Sequence, residues 1–180
     1  MVVVLLLAGC GQPSEPRSSF DAQVTRFAAE THAQRVPVAA LPGVVCFQLA
    51  HARAQASIER WNRDYLGRGA YVFRYENTRG LTAGGDTIAL LPTRDKWRVL
   101  RTVGQTAATI AWLRRLDKWH PFTVYGAGVD FVEGRFESRP HGQDAVTLAR
   151  SMARFDPAIG SARELARTLE TTGSLNLWWD

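Results

Sequence analysis

Three aspartates, Asp86, Asp130 and Asp180, are the side chains of this sequence that best suit acid–base chemistry in a cleft. A hydrolase would use such carboxylates as general acid, general base or nucleophile. Asp130 and Glu133 lie three residues apart on one predicted strand, so their side chains project from opposite faces and form no carboxylate pair. The favoured interpretation of these two residues is a charged strand end that keeps the protein soluble. Catalysis by the aspartates therefore stays an alternative hypothesis.

The sequence ends with two adjacent tryptophans and an aspartate, Trp178, Trp179 and Asp180. Neighbouring residues of a strand point to opposite faces, so one ring enters the core and the other is covered by a helix or exposed. Burial of both rings is the favoured interpretation, and an aromatic binding patch is the alternative. Asp180 would add two carboxylates that bind a cation or an arginine, although simple solvation is favoured. Together with Asp130, these residues are the candidate binding residues.

The spacing of histidines, cysteines and glycines argues against several other kinds of site. The four histidines form neither His-x-x-x-His nor His-Glu-x-x-His, so no metal site is predicted. The sequence has no nucleophile elbow of the Gly-x-Ser-x-Gly type and no dinucleotide fingerprint, so no cofactor is predicted. Cys46 lies in an apolar predicted strand and is expected to be an inert core thiol.

An apolar segment that ends in Leu7-Ala8-Gly9-Cys10 is typical of the lipobox of a bacterial lipoprotein. Small residues fit the signal peptidase, and the cysteine thiol takes the lipid. The pattern predicts a signal peptide over residues 1–9 that is truncated, because no basic residue precedes its apolar run. Residues 10–40 are predicted to be the lipid-attachment cysteine and a flexible tether, with a weak helical pattern around residues 20–34. The alternative is a cytosolic protein in which Cys10 is inert.

Composition indicates one ordinary globular domain with a basic excess. The 180 residues are 46% hydrophobic and 22% charged, with a net charge of +5, which suits a domain with a sizeable core. The basic residues are mostly scattered arginines rather than a stripe interleaved with aromatic residues, so no nucleic-acid binding is expected. No apolar run approaches the ~20 residues that cross a bilayer. Any membrane attachment is therefore expected to be through the lipid on Cys10.

Hydrophobic periodicity predicts the element order β-α-β-β-α-α-β-β-α-α-β from residue 41 onward. The clearest helix covers residues 106–119, and its broad apolar stripe includes Trp119. This order favours an α+β fold, in which helices cover a mixed or mostly antiparallel sheet. We therefore expect a single domain over residues 41–180.

Three stretches in the second half of the sequence carry a family resemblance. They are Leu90-Leu91-Pro92-Thr93, Gly128-Val129-Asp130-Phe131-Val132-Glu133 and the terminal Leu175-Asn176-Leu177-Trp178-Trp179-Asp180. Through them, residues 86–180 resemble the bacterial family called domain of unknown function 4253, and Trp-Trp-Asp is the most specific of the three. The resemblance implies a fold unit and no particular activity.

These patterns lead to the hypothesis of a lipid-anchored protein of the cell envelope that faces the periplasm or the exterior. It is expected to bind a protein or another envelope component without catalysis of its own, and its six tryptophans suit an interface. One alternative is an envelope hydrolase that uses cleft carboxylates. Another is a cytosolic immunity-type binding protein, if Cys10 carries no lipid. Convergent polar groups in a concave pocket would favour an enzyme, and an exposed apolar patch would favour a binding protein.

Overall fold

A sheet of seven strands lies at the centre of the fold, which a computed structural model describes for residues 17–75, 85–156 and 159–179. The strands are β1 (Gln34–Val36), β2 (Val45–Leu49), β3 (Tyr71–Arg74), β4 (Asp86–Leu91), β5 (Phe122–Ala127), β6 (Phe131–Phe136) and β7 (Ser174–Trp178). The helices are α1 (Arg17–Thr31), α2 (His51–Tyr65), α3 (Lys96–Thr102), α4 (Ala107–Trp119), α5 (Gly142–Phe155) and α6 (Ala162–Thr172). The predicted signal peptide, Cys10 and Asp180 lie outside the described residues.

The strands are arranged in the spatial order β1-β2-β4-β3-β5-β6-β7. Neighbouring strands are antiparallel except for β3 and β5, which are parallel and meet at Arg74 and Gly126. This parallel contact joins two antiparallel halves of the sheet. The predicted α+β fold, a single domain whose mixed and mostly antiparallel sheet is covered by helices, is therefore confirmed. From β2 to β7 the order of elements also follows the predicted one.

Helices cover both faces of the sheet, and an apolar core fills the space on each side. On one face, α3 to α6 bury residues such as Leu100, Leu113 and Leu148. On the other face, α2 buries Ile58 and Trp61 against strands β2, β3 and β4. Full burial of each of these side chains stabilises the fold by about 1.5–3 kcal/mol. None of the helices in the described part of the chain is long and apolar enough to cross a membrane.

The segment before residue 41 differs from the tether that the sequence predicts over residues 10–40. Residues 17–31 form α1, in which Phe27 is fully buried and its ring meets that of Trp61 edge-on at 5.0 Å. Strand β1 follows and pairs with β2. The weak helical pattern around residues 20–34 corresponds to this helix, but its docking was not predictable because Phe27 contacts Trp61 on α2, far away in the sequence. The folded part therefore includes residues 17–36, and its expected start at residue 41 is corrected.

Strand β7 is an edge of the described sheet, and side chains cover part of that edge. The amide of Trp178 donates a hydrogen bond to Oδ2 of Asp156 at 3.1 Å. The amide of Ser174 donates to Oγ1 of Thr172, also at 3.1 Å. Two amides of the edge strand are thus bonded to side chains of the connecting segments and helices.

Candidate functional site

A cluster of charged side chains lies where the two halves of the sheet meet. Arg74, at the end of β3, donates from Nε to Oδ2 of Asp86 at 3.0 Å and from Nη1 to Oε2 of Glu133 at 2.6 Å. Its Nη2 donates to Oε1 of Gln55 on α2 at 3.3 Å. Arg74 is 7% exposed and Asp86 only 1%. A buried guanidinium is thus bonded on three sides, as the burial of a charge requires. We call these four residues and His51 the Arg74 network.

His51 is the member of the Arg74 network that reaches solvent. Its Nδ1 lies 3.0 Å from Oδ1 and 3.1 Å from Oδ2 of Asp86, while its side chain is 58% exposed. When Nδ1–H is donated to the carboxylate, the neutral imidazole has its acceptor at Nε2. A buried carboxylate that orients a histidine in this way is also found where histidine acts as a general base.

Gly126 makes the Arg74 network sterically feasible, because β5 lies between β3 and β6. A Cβ atom at this position would lie 2.8 Å from Oε2 of Glu133 and 3.2 Å from a ring carbon of Phe131. The register between β5 and β6 also shifts between Val124 and Gly126, as at a β-bulge. With no side chain at residue 126, Glu133 reaches across β5 to Arg74.

Along α2, the Arg74 network continues into a more exposed set of polar contacts. Nε2 of Gln55 donates to Oε1 of Glu59 at 2.8 Å, and Nη2 of Arg135 lies 3.2 Å from the same oxygen. Burial, and then the negative charge of Glu59, raise the pKa of Tyr125 above its usual value. This face of β5 and β6 is therefore polar, unlike the core face of the same strands.

The structure places the predicted carboxylates in different surroundings. Asp86 is buried and bonded to Arg74 and His51, so it is not the solvent-accessible acid of a cleft. Glu133 is not a solvated strand end, because its side chain is largely buried and pairs with Arg74 of β3 across strand β5. Asp130 is half-buried in the turn between β5 and β6, and its carbonyl accepts a hydrogen bond from the amide of Trp179. Within the described ranges, no group of three or more His, Cys, Asp and Glu side chains is arranged to hold a metal ion.

Both terminal tryptophans that the structure describes are half-buried and have packing partners inside the domain. The ring of Trp178 stacks on Phe131 with centroids 5.3 Å apart. The ring of Trp179 meets Phe155 edge-on at 6.0 Å, and its Nε1 donates to the carbonyl of Val129 at 3.1 Å. These contacts fasten the end of β7 to β6 and α5.

A cavity of about 270 Å³ lies beside α3 and contains a paired lysine. Lys96 Nζ donates to Asp117 at 2.5 Å and to the carbonyl of Phe122 at 2.6 Å. Tyr71 also lines this cavity, and burial raises its pKa well above the usual value. The charge of Lys96 is already neutralised, so the cavity presents no unpaired ammonium group to an anion.

Trp119 is the most exposed large apolar side chain of the described residues, with 82% of its surface in solvent. The helical periodicity of residues 106–119 includes Trp119 in the apolar stripe, and such a stripe normally faces the core, but in the structure Trp119 faces solvent. Helix α4 ends at Trp119, and the chain turns at His120 into β5, so the last turn of the stripe projects beyond the core. Trp119, rather than the half-buried Trp178 or Trp179, therefore presents an exposed aromatic surface.

Trp119 lies on the rim of a groove between α4 and α5 whose volume is about 350 Å³. The residues that line this α4–α5 groove are Trp112, Arg115, Leu116, Trp119, His120, Thr147, Leu148 and Ser151. Trp112 stacks on Phe155 with centroids 4.1 Å apart and planes within 12° of parallel. Arg115 is the one formal charge among the lining residues, so the groove combines apolar walls with a positive side.

The fold and the groove define an α+β domain with an open apolar surface. The model of one family, Domain of unknown function (DUF4253), matches residues 87–180. The chain therefore belongs to the DUF4253 family, as the resemblance over residues 86–180 predicted. No curated protein and no solved structure matches the chain. All residues that line the α4–α5 groove lie within the matched range, whereas Glu133 is the only member of the Arg74 network that lies there.

Proposed function

We propose that this protein is a lipid-anchored protein of the cell envelope whose domain binds a partner protein and performs no catalysis of its own. The observation that supports this function is the 82% exposure of Trp119 beside the α4–α5 groove. A tryptophan exposed beside an apolar groove suits an interaction site, because tryptophan is enriched among the residues that dominate binding energies. The groove has room for a few partner side chains.

The lipid anchor is the part of this proposal that rests on the sequence. The segment Leu7-Ala8-Gly9-Cys10 supports acylation of Cys10. Because α1 begins at Arg17, the seven Cα–Cα steps from Cys10 reach at most about 25 Å at full extension. An acylated Cys10 would therefore hold the domain close to the membrane surface, where envelope partners are concentrated.

Binding through the groove is tested with Trp119→Ala and a matched control, Val129→Ala. Val129 is the other large apolar side chain that is exposed in the described residues, at 66%, and it lies outside the groove. Each full-length protein is produced in its native host and cross-linked in intact cells, and the co-purified proteins are quantified by mass spectrometry. We expect a partner that both the wild type and Val129→Ala recover and that Trp119→Ala loses at least tenfold. Equal recovery by all three proteins would contradict binding through the groove.

The anchor is tested by intact mass and membrane fractionation of the native protein beside Cys10→Ala. An acylated, membrane-bound wild type and an unacylated variant are the expected results. A soluble wild type that retains Met1 would contradict the anchor and favour the cytosolic binding protein.

The contact between His51 and Asp86 favours a second candidate function, a hydrolase. In this candidate Asp86 orients His51, and Nε2 of His51 takes a proton from water. Hydrolysis of p-nitrophenyl acetate tests it, with His51→Gln compared with His141→Gln, which removes another exposed histidine. A tenfold loss of the hydrolysis rate in His51→Gln alone would support the hydrolase. Equal rates in both variants would contradict this candidate function.

A further inference from the structure

We infer that the segment which occupies the α4–α5 groove is an acidic amphipathic helix of the partner, an inference that rests on the proposed binding function. The groove would then bind one kind of occupant. Three properties of the described residues lead to this inference. They are the length of the groove, the charge of the groove, and the bonded amides and short length of the edge strands of the sheet.

The length of the groove corresponds to two turns of a helix. Trp112 and Trp119 both line it and are seven residues apart on α4, a distance of about 10 Å at 1.5 Å per residue. Leu116 and Leu148 line the space between them. A helix laid along the groove would meet these residues with apolar side chains at positions i, i+4 and i+7, the usual pattern of a helix bound in a groove.

The charge of the groove selects acidic residues on the flanks of that helix. Arg115 lines the groove between the two tryptophans, and His120 lies at its end. On α5, Arg154 is exposed three residues beyond the lining residue Ser151, and Asp144 is exposed three residues before the lining residue Thr147, so the two charges lie on the groove side at opposite ends of the helix. A partner carboxylate beside Arg115 can accept two parallel hydrogen bonds from its guanidinium. The net charge of +5 for the whole chain would also attract an acidic partner.

The sheet edges make a partner strand a poorer fit than a partner helix. At β7, the amides of Trp178 and Ser174 already donate to Asp156 and Thr172, so an added strand would have to break these bonds. The opposite edge strand, β1, has only three residues. A second copy of this chain is also disfavoured, because the Arg115 side chains of two facing grooves would repel each other.

The test selects binding peptides from an unbiased library of displayed 16-residue peptides. The full-length Cys10→Ala protein is the target, and peptides that also bind its Trp119→Ala variant are removed by counter-selection. We expect enriched peptides to have apolar residues at i, i+4 and i+7 and a net negative charge. Arg115→Glu should lower the affinity of a selected synthetic peptide at least tenfold, and replacement of the peptide's Glu residues by Lys should restore binding to that variant. Val129→Ala should bind the peptide as the wild type does.

Two results would overturn the inference. One is enrichment of basic peptides or of peptides with the alternating pattern of a strand, or the absence of any peptide whose binding depends on Trp119. The other is Trp119-dependent binding of vesicles that contain anionic lipid in preference to the selected peptide, which would identify the groove as a membrane contact. If either occurs while cross-linking still shows a partner that depends on Trp119, the inferred partner class fails and the proposed binding function survives. Loss of the cross-linked partner as well would mean that both fail.

Discussion

The Arg74 network and the α4–α5 groove reverse the usual placement of charged and apolar groups. The network buries a guanidinium and a carboxylate and satisfies them with side chains from α2, β4 and β6. The groove leaves a tryptophan in water, although covering its apolar surface would contribute about 25 cal/mol per Å². The network is complete within the domain, whereas the groove would be completed by the partner that we propose. Changes in the network should therefore alter stability, and changes in the groove should alter binding.

The largest expected effect on stability is that of Asp86→Ala. This change removes a carboxylate that is 1% exposed and leaves Arg74 buried without its Nε partner. Removing one member of a buried ion pair costs about 3–5 kcal/mol, and urea unfolding measures this loss. Glu30→Ala is the control, because Glu30 pairs with Arg26 and Arg60 at the surface and should cost less than about 1 kcal/mol. Equal losses in the two variants would contradict the structural importance of the network.

A smaller effect is expected for Gly126→Ala, which tests the network through its geometry. The added methyl group would displace Oε2 of Glu133 from Arg74 and lower the free energy of unfolding by about 1–3 kcal/mol. Gly67→Ala is the matched control, because its Cβ would meet no atom within 4 Å. A Gly126→Ala protein as stable as the Gly67→Ala protein would show that Glu133 has room to move.

The smallest effect on stability is expected for Trp119→Ala, despite the size of the deleted ring. An exposed residue away from special features contributes within about 0.5 kcal/mol, so thermal and urea unfolding should hardly change. Trp61→Ala gives the contrast, since Trp61 is 1% exposed and its loss should cost about 3–5 kcal/mol. Marked destabilisation by Trp119→Ala would mean that the ring supports the fold instead of a partner.

The fold was predictable from the sequence to the extent that its signals are local. The pattern of apolar residues predicts a helix over residues 51–65 and a strand over residues 86–91, and α2 and β4 have these bounds. The Arg74 network was not predictable, because Arg74 and Glu133 are 59 residues apart and no spacing rule connects them. The only sequence signal was the presence of charged residues in otherwise apolar strands, Arg74 in β3 and Glu133 in β6.

The candidate groove was missed for a different reason. Periodicity assigns residues to one face of a helix but does not show how far the neighbouring elements extend along it. Trp119 has the right phase for burial, yet it lies on the last turn of α4, beyond the core. Trp178 and Trp179 are conspicuous in the sequence because they are adjacent, whereas their packing on Phe131 and Phe155 depends on the fold.

The spatial order of the strands also decides how the molecule can be divided. The family match begins at residue 87, inside β4, but the neighbours of β4 in the sheet are β2 and β3. Strand β3 also separates β4 from β5, so the first half of the chain supplies the piece that holds the second half together. A fragment cut at the family boundary would contain a strand with neither of its neighbours and a gap in the middle of its sheet. The unit that folds is therefore larger than the unit that the family shares.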